Sequence, residues 1–129
     1  MKILFGAMVL AIASVSQAAP LTVRAGESWI FQVKDGQPSD ARKVEPNAKP
    51  AKGEVIVAVR SLFGTVLIMS NNSGVPYSFA AELLPPTNLT TVRTCTLPSG
   101  RKPILEQWEQ KALAVRISNF RAAGNEGLC

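Results

Sequence analysis

"GEVIVAVRSLFGTVLIMS", residues 53–70, is the stretch that decides the fold class of this 129-residue chain. Valine stands at every second position from Val55 to Val59, which indicates a strand with at least one buried face. "TVLIM" (65–69) is a nearly continuous apolar run, as in a strand covered on both faces. Between the two, "SLFG" interrupts, and Gly64 can adopt the positive φ of a tight turn or bulge. Because β-branched residues dominate, the stretch predicts two strands rather than a helix.

The polar segment that follows, "SNNSGVP" (70–76), predicts a β-hairpin turn. "YSFAAEL" (77–83) alternates and is the expected antiparallel partner of the apolar run before the turn. Surface loops also carry function, so Asn71 and Asn72 are candidate contact residues, and Tyr77 is a further one. The alternation of its strand favours a core or rim position for Tyr77 instead.

Two N-x-S/T tripeptides, beginning at Asn71 and Asn88, match the acceptor sequence for N-glycosylation. In a eukaryotic secreted protein both would be plausible glycan sites on loops. In a bacterial protein they are accidental, because such tripeptides are common by chance.

The segments on either side also predict strands. "SWIFQVK" (28–34) alternates and ends at the turn sequence "DGQP". From 37 to 53 the sequence is polar and contains three prolines, which predicts a long surface connection with one short edge strand around 41–44. "LTTVRTCTL" (89–97) is rich in threonine and valine and predicts another strand.

The last third of the chain, from Pro103 to Gly124, allows two structures. A helix near 103–112 would have proline at its first position and good helix formers in "EQWEQKALA". "LAVRISNF" (113–120) alternates as a strand does, and the apolar positions fit a helical wheel poorly, which favours strand, loop, strand. With about seven short strands, the chain is predicted to be all-β, an antiparallel β-sandwich of immunoglobulin-like arrangement. The alternative is an α+β fold containing that helix.

Residues 1–18 have the pattern of a secretory signal peptide. Lys2 supplies the positive charge, and "SQA" predicts cleavage between Ala18 and Ala19. The apolar core between them is shorter than the roughly 18 to 20 residues that a membrane-spanning helix needs. The expected product is therefore a single exported domain, 19–129, periplasmic or secreted, with no membrane span after cleavage.

The two cysteines, Cys95 and Cys129, both lie in the predicted exported domain. In an oxidising compartment such a pair is most simply a disulfide, which would tie the end of the chain to the domain. The alternative is a nucleophile with a resolving thiol. It is disfavoured because no histidine is present to activate a thiolate and no C-x-x-C spacing occurs.

The absence of histidine from the sequence restricts the possible chemistry. It excludes Ser-His-Asp and Cys-His catalysis and most zinc sites, and no phosphate-binding or dinucleotide motif is present. The sequence therefore predicts neither a metal nor a cofactor. A hydrolase that uses two carboxylates is the remaining enzymatic alternative, with Glu106 and Glu109, or the separate Glu54 and Glu82, as its acids.

The chain is moderately basic. Since Lys2 is the only charged residue in 1–18, the formal charge of +5 for the whole chain falls to +4 in the predicted domain. The basic residues are scattered along the sequence, and such a surface favours anionic partners such as lipopolysaccharide, phospholipid headgroups or an acidic protein. Nucleic acid is not an expected partner, because no basic motif interleaved with aromatics occurs.

Trp108, in "EQWEQK", is the best single candidate for a contact residue. An aromatic side chain bracketed by charged and amide residues can form an exposed platform for a sugar or a protein. The alternative is that Trp108 packs under the neighbouring loop while its neighbours face water.

Several stretches resemble small, uncharacterised exported proteins of proteobacteria. They are "MSNNSGVPYSFAAEL", "RTCTL", "EQW", "ISNFR" and the terminal cysteine, so that the similarity spans roughly 26–129. The resemblance implies secretion and a β-fold, and its motifs are tied to no catalytic activity. The resulting hypothesis is an exported, non-enzymatic β-sandwich that binds a protein or an anionic envelope component, with the carboxylate hydrolase as the alternative.

Overall fold

The computed structural model describes residues 18–84, 91–92 and 96–123. Within these ranges the chain forms nine strands and no helix. The strands are β1 (Leu21–Arg24), β2 (Ser28–Lys34), β3 (Gln37–Val44), β4 (Glu54–Leu62), β5 (Gly64–Asn72), β6 (Tyr77–Leu84), β7 (Thr91–Val92), β8 (Ile104–Trp108) and β9 (Ala114–Ala122).

The strands form two sheets whose pairings are all antiparallel. One sheet has the order β1-β9-β6-β7, and the other has the order β3-β2-β4-β5-β8. The predicted all-β fold is therefore confirmed, and the two sheets are consistent with a β-sandwich. The immunoglobulin-like arrangement is not confirmed, because there the first, second, fifth and fourth strands share a sheet, whereas here β1 and β2 lie in different sheets.

The stretch 53–70 forms most of the hairpin of β4 and β5, which pair from Glu54 with Asn72 to Leu62 with Gly64. Gly64 has a φ of 118° and closes the hairpin, as the sequence predicts. The valines of β4 are fully buried, and Val66 on the opposite face of β5 is also buried. The nearly continuous apolar run is thus largely covered on both faces.

The predicted hairpin between the apolar run and "YSFAAEL" is wrong. β5 pairs with β4 and β8, whereas β6 pairs with β9 and β7 in the other sheet. The segment 73–76 therefore crosses from one sheet to the other. Turn residues specify only that the chain reverses, and here both edges of β5 are occupied by other strands. The predicted alternation of β6 is confirmed, since Phe79, Ala81 and Leu83 are buried.

The region 37–53 contains more structure than its composition indicates. β3 extends over Gln37–Val44 and pairs with β2, which leaves only 45–53 as the connection. Asp35 and Gly36 both have positive φ, 53° and 77°, as in the type I′ turn that joins two strands tightly. The Asp-Gly pair was thus the signal for a hairpin rather than for the end of a strand.

The last third is strand, loop, strand, as favoured from its alternation. β8 and β9 are separated by 109–113, and β8 is the edge strand beside β5. The alternative helix near 103–112 is wrong. Local helix propensity is a weak preference, and the pairing of β8 with β5 overrides it.

An aromatic cluster within the core joins the two sheets. The Phe120 ring of β9 lies 5.6 Å from that of Phe31 in β2, 5.3 Å from that of Phe79 and 5.8 Å from that of Tyr77. Phe31 belongs to the five-stranded sheet and the other three belong to the four-stranded sheet. Phe120 therefore bridges the two layers, and buried residues of both sheets form one hydrophobic cluster around it.

Some predictions concern residues outside the described ranges. Cys95, Cys129, Asn88 and nearly all of the predicted signal peptide lie there, so the disulfide and the cleavage stay predictions. In the described ranges, 18–84, 91–92 and 96–123, no helix is long and apolar enough to cross a membrane.

Candidate functional site

The β5–β6 connection, which the sequence singled out as "SNNSGVP", is held closed by Asn71. This side chain is fully buried. Its Nδ2 donates to the Val75 carbonyl at 2.7 Å, and its Oδ1 accepts from the Ser73 backbone N–H at 3.0 Å. A buried amide with both groups satisfied stabilises the loop and offers nothing to a partner. The predicted contact role of Asn71 is therefore not supported.

The same connection, with the end of β5, forms hydrogen bonds to three other segments. The Asn71 carbonyl accepts from Arg101 N at 2.8 Å, and Gly53 N donates to the Asn72 carbonyl at 2.6 Å. The Asn72 side chain donates to the Pro50 carbonyl at 3.0 Å. At the other end of the connection, Ala123 N donates to the carbonyl of Pro76. These bonds collect the loops 50–53 and 98–103 and the end of β9 at one end of the sandwich.

The β2–β3 turn belongs to the same end, because Phe120 N donates to the Gly36 carbonyl at 2.7 Å. These segments carry five basic side chains, and Lys49, directly before the loop 50–53, adds a sixth; all six are exposed. We call this group the basic end: Lys34, Lys49, Lys52, Arg101, Lys102 and Arg121. Asp35 is the one acidic residue in those segments as far as the structure describes them.

The other basic residues near acids are already paired. Salt bridges join Arg42 to Glu54 at 2.9 Å, Lys43 to Glu27 at 3.5 Å and Arg116 to Glu82 at 2.9 Å. Within the described ranges, none of the six side chains of the basic end takes part in such a bridge. Three basic residues of the strands are thus paired with acids, whereas the six of the basic end lie outside these bridges and give that end a positive potential.

A shallow depression of about 250 Å³ adjoins this end. It is lined by Ser78, Phe79, Ala80, Asn119 and Arg121, where the register of β6 and β9 shifts between Ser78 and Ala80. Asn119 has a φ of 55° in this bulge. The Asn119 side chain already accepts a hydrogen bond from Gln37, so Arg121 is the charged group that this depression offers to an anion.

Two of the four acids named for the hydrolase alternative form salt bridges. Hydrogen bonds from Arg42 lower the pKa of Glu54, whereas a general acid requires a raised pKa. Glu82 is paired with Arg116. Glu109 is exposed in the loop after β8. In the described part of the chain no three His, Cys, Asp or Glu side chains cluster as metal ligands would.

Trp108 is half-buried and packs against the core cluster. It lies opposite Thr65 at the far end of the sheet from the basic end. This position agrees with the alternative in which Trp108 packs under its neighbours. Tyr77 is also half-buried, with its ring edge against Phe120. The side-chain amide of Asn72 donates to the Pro50 carbonyl.

The basic end is not visible as a cluster in the sequence because its members are separated by up to 87 positions, from Lys34 to Arg121. A signal was present nonetheless. Lys49 precedes Pro50, Lys52 precedes Gly53, and "GRKP" holds the pair at 101–102 between glycine and proline. Basic residues beside turn formers belong to strand ends, and in antiparallel sheets alternate turns lie at the same end.

The Arg42–Glu54 pair predicts how stability depends on pH. The pKa of Glu54 is lowered from its ordinary value of 4.5 by Arg42, against an opposing effect of burial. Its contribution is therefore present above the unfolded-state pKa and is lost as the pH falls through the lower folded-state value. We expect the free energy of unfolding, measured by urea denaturation, to decrease below about pH 4.5. Glu54→Gln should weaken that dependence, whereas Glu109→Gln should leave it unchanged; equal curves for wild type and Glu54→Gln would contradict the assignment.

Comparisons of this chain with models of protein families, with curated proteins and with solved structures found no match.

Proposed function

We propose that this protein is an exported, non-enzymatic β-sandwich whose basic end binds a polyanionic component of the cell envelope. The observation that carries the proposal is the collection of six exposed basic side chains, outside any described salt bridge, at one end of the fold. Export rests on the signal-peptide pattern of 1–18.

Charge segregation supports binding rather than solubility alone. Solubility requires only that charged residues of both signs cover the surface. It does not require six basic residues to lie together at one end without acidic partners. Here acids hold Arg42, Lys43 and Arg116 on the strands. A one-signed cluster raises the local concentration of anions and attracts them over a distance of about 10 Å at moderate salt.

The basic end is also rigid at its backbone, which lowers the entropy lost on binding. Arg101 is fixed on both sides, since its N–H donates to the Asn71 carbonyl and its carbonyl accepts from Ser70 Oγ at 2.9 Å. The loop that carries Lys52 is fixed to Asn72. The side chains extend from a preformed frame, so a spaced array of phosphates or sulfates suits them better than a single small anion.

The test uses fluorescently labelled dextran sulfate as a polyanion and measures its affinity by anisotropy. Arg101→Gln combined with Lys102→Gln should weaken binding about tenfold, since each lost ionic contact contributes up to about 1 kcal/mol. Arg24→Gln combined with Lys111→Gln removes the same charge from exposed positions away from the basic end and should change the affinity less than twofold. Raising the NaCl concentration from 0.1 to 0.5 M should weaken binding of the wild type.

Two results would overturn the proposal. Equal weakening by the two double variants would mean that net charge alone attracts the polyanion, without a site. Salt-independent binding would point to apolar contacts. Release of shortened products from envelope polysaccharides, abolished by Glu106→Gln, would favour the carboxylate hydrolase instead.

A further inference from the structure

The end of the sandwich opposite the basic end exposes large apolar side chains. Phe63 is 91% exposed and Leu62 is 64% exposed at the tip of the β4–β5 hairpin, and Leu113 is 70% exposed in the β8–β9 loop. We call these three residues the apolar end. Most large apolar side chains of the described chain are buried, so the grouping of three exposed ones at one end is a feature that needs a physical reason.

The hairpin tip is held rigidly against the β8–β9 loop. A Cβ atom on Gly64 would collide with the carbonyl oxygen of Trp108, so the two backbones are in direct contact there. Thr65 Oγ1 donates to the Gln110 carbonyl at 2.7 Å and accepts from Ala112 N at 2.8 Å. These contacts fix the backbone of the hairpin tip, on which the Leu62 and Phe63 side chains are exposed.

Leu113 is fixed by a separate set of bonds. Its N–H donates to the Leu84 carbonyl at 2.9 Å, and its carbonyl accepts from Ala25 N at 2.9 Å. Ala112, the residue before it, is bonded to Thr65, which places Leu113 at the same end as the hairpin tip. The backbone of Leu113 is thus fixed by hydrogen bonds in a position that leaves its side chain exposed.

The size of the apolar end indicates what covers it. Three such side chains expose on the order of 400 Å², whereas a stable protein partner needs about 800 Å² from each side. A protruding phenylalanine with two leucines is instead the type of group that enters the boundary between lipid headgroups and acyl chains. We propose that the apolar end inserts into the interfacial layer of a lipid bilayer.

The charged residues around the apolar end are compatible with this orientation. Lys111 is exposed two positions before Leu113, and Arg24 is exposed opposite Ala114, the residue after Leu113. Glu109 is exposed in the same loop as Lys111. Long basic side chains can extend to phosphate groups while their stems stay in contact with apolar surface. Because basic and acidic residues both surround the apolar end, we expect its binding to membranes to depend on apolar contact and not on salt. Binding at the basic end, in contrast, should be sensitive to salt.

Insertion at this end would direct the basic end away from the membrane. A strand of nine residues such as β4 spans about 30 Å, which is several times the distance over which charges act at physiological salt. The polyanion bound at the basic end would then lie outside the bilayer that holds the apolar end. The two sites are independent, so either can fail without the other.

The experiment is co-sedimentation of the protein with vesicles of neutral phosphatidylcholine in 0.5 M NaCl, where electrostatic binding is suppressed. We expect the wild type to bind and Phe63→Ser to reduce the partition coefficient about tenfold, because a large apolar side chain is no longer transferred from water. Leu105→Ser is the matched control. Leu105 is 59% exposed, but it lies on β8 outside the apolar end, so its replacement should have less than a twofold effect.

A second readout follows insertion directly. Phe63→Trp places an indole at the hairpin tip, and its fluorescence emission should shift to shorter wavelength when vesicles are added. No vesicle binding by the wild type, equal losses for Phe63→Ser and Leu105→Ser, or no emission shift would overturn the proposal. Self-association that depends on Phe63 in the absence of vesicles would also overturn it, since the occupant would then be a second copy of the chain. None of these outcomes affects the dextran sulfate test of the basic end.

Discussion

Replacing Phe120 with alanine is expected to lower the free energy of unfolding by about 4 kcal/mol, within the range for truncation of a buried phenylalanine. Phe120 is 3% exposed and its ring contacts three other aromatic rings. Truncation to alanine would remove the free energy gained by transferring the ring from water to the core, and it would leave a cavity between the two sheets. The rings of Phe31 and Phe79 are attached to different sheets, which limits how far they can close the cavity.

The matched control is Phe63→Ala, which removes the same atoms from a side chain that is 91% exposed. It should change the free energy of unfolding by less than about 0.5 kcal/mol, as surface substitutions usually do. Urea denaturation monitored by tryptophan fluorescence measures both variants. A Phe120→Ala variant as stable as Phe63→Ala would contradict the bridging role of Phe120. Unchanged stability of Phe63→Ala would also show that replacing this side chain can alter vesicle binding without a folding defect.

Local sequence determines the strands of this protein much better than their pairing. The valines of β4 and the alternation of β6 predict which faces are buried, because a strand places every second side chain on the same side. The choice of partner for β5 depends on β8, which lies more than 30 positions further along the chain. The polar segment 73–76 fits a hairpin and a crossover equally well, so the sequence supports a turn there without selecting between them.

The candidate sites were less predictable than the fold. Asparagine in a loop suggested contact, but the buried Asn71 side chain satisfies the loop backbone instead. Leu62 and Phe63 belong to "SLFG", which the sequence marks as an interruption between two apolar runs, and nothing in the sequence showed that both side chains are exposed. Their exposure follows from the position of Gly64, since a chain that reverses at this point must leave the preceding residues at the tip.

The two ends of the sandwich therefore differ in the kind of interaction that they offer. Hydrogen bonds of the β5–β6 connection fix the basic end, and contacts of Gly64 and Thr65 fix the apolar end. The strands between them carry paired charges on the surface and a shared aromatic core. If both proposals hold, the strands separate two binding surfaces by the length of the sandwich.

Gly64→Ala is expected to lower the free energy of unfolding by about 3 kcal/mol. Two separate effects contribute. Gly64 has a φ of 118°, which side chains rarely adopt, and such backbone strain costs of order 1 to 3 kcal/mol. The new methyl group would also collide with the backbone of Trp108 and Glu109, and overpacking costs a further 1 to 3 kcal/mol unless β8 moves away.

Two other glycines separate these effects. Gly53 has a φ of 89° but no atom near the place of a Cβ, so Gly53→Ala introduces strain alone and should cost about 1 kcal/mol. Gly74 has neither a positive φ nor a close neighbour, so Gly74→Ala should be close to neutral. If Gly64→Ala and Gly53→Ala are equally destabilised in urea denaturation, the collision with β8 is not real. A larger loss of unfolding free energy for Gly64→Ala than for Gly53→Ala would confirm the collision. If Gly64→Ala also binds vesicles more weakly, the contact of Gly64 with the Trp108 backbone is what holds Phe63 in its exposed position.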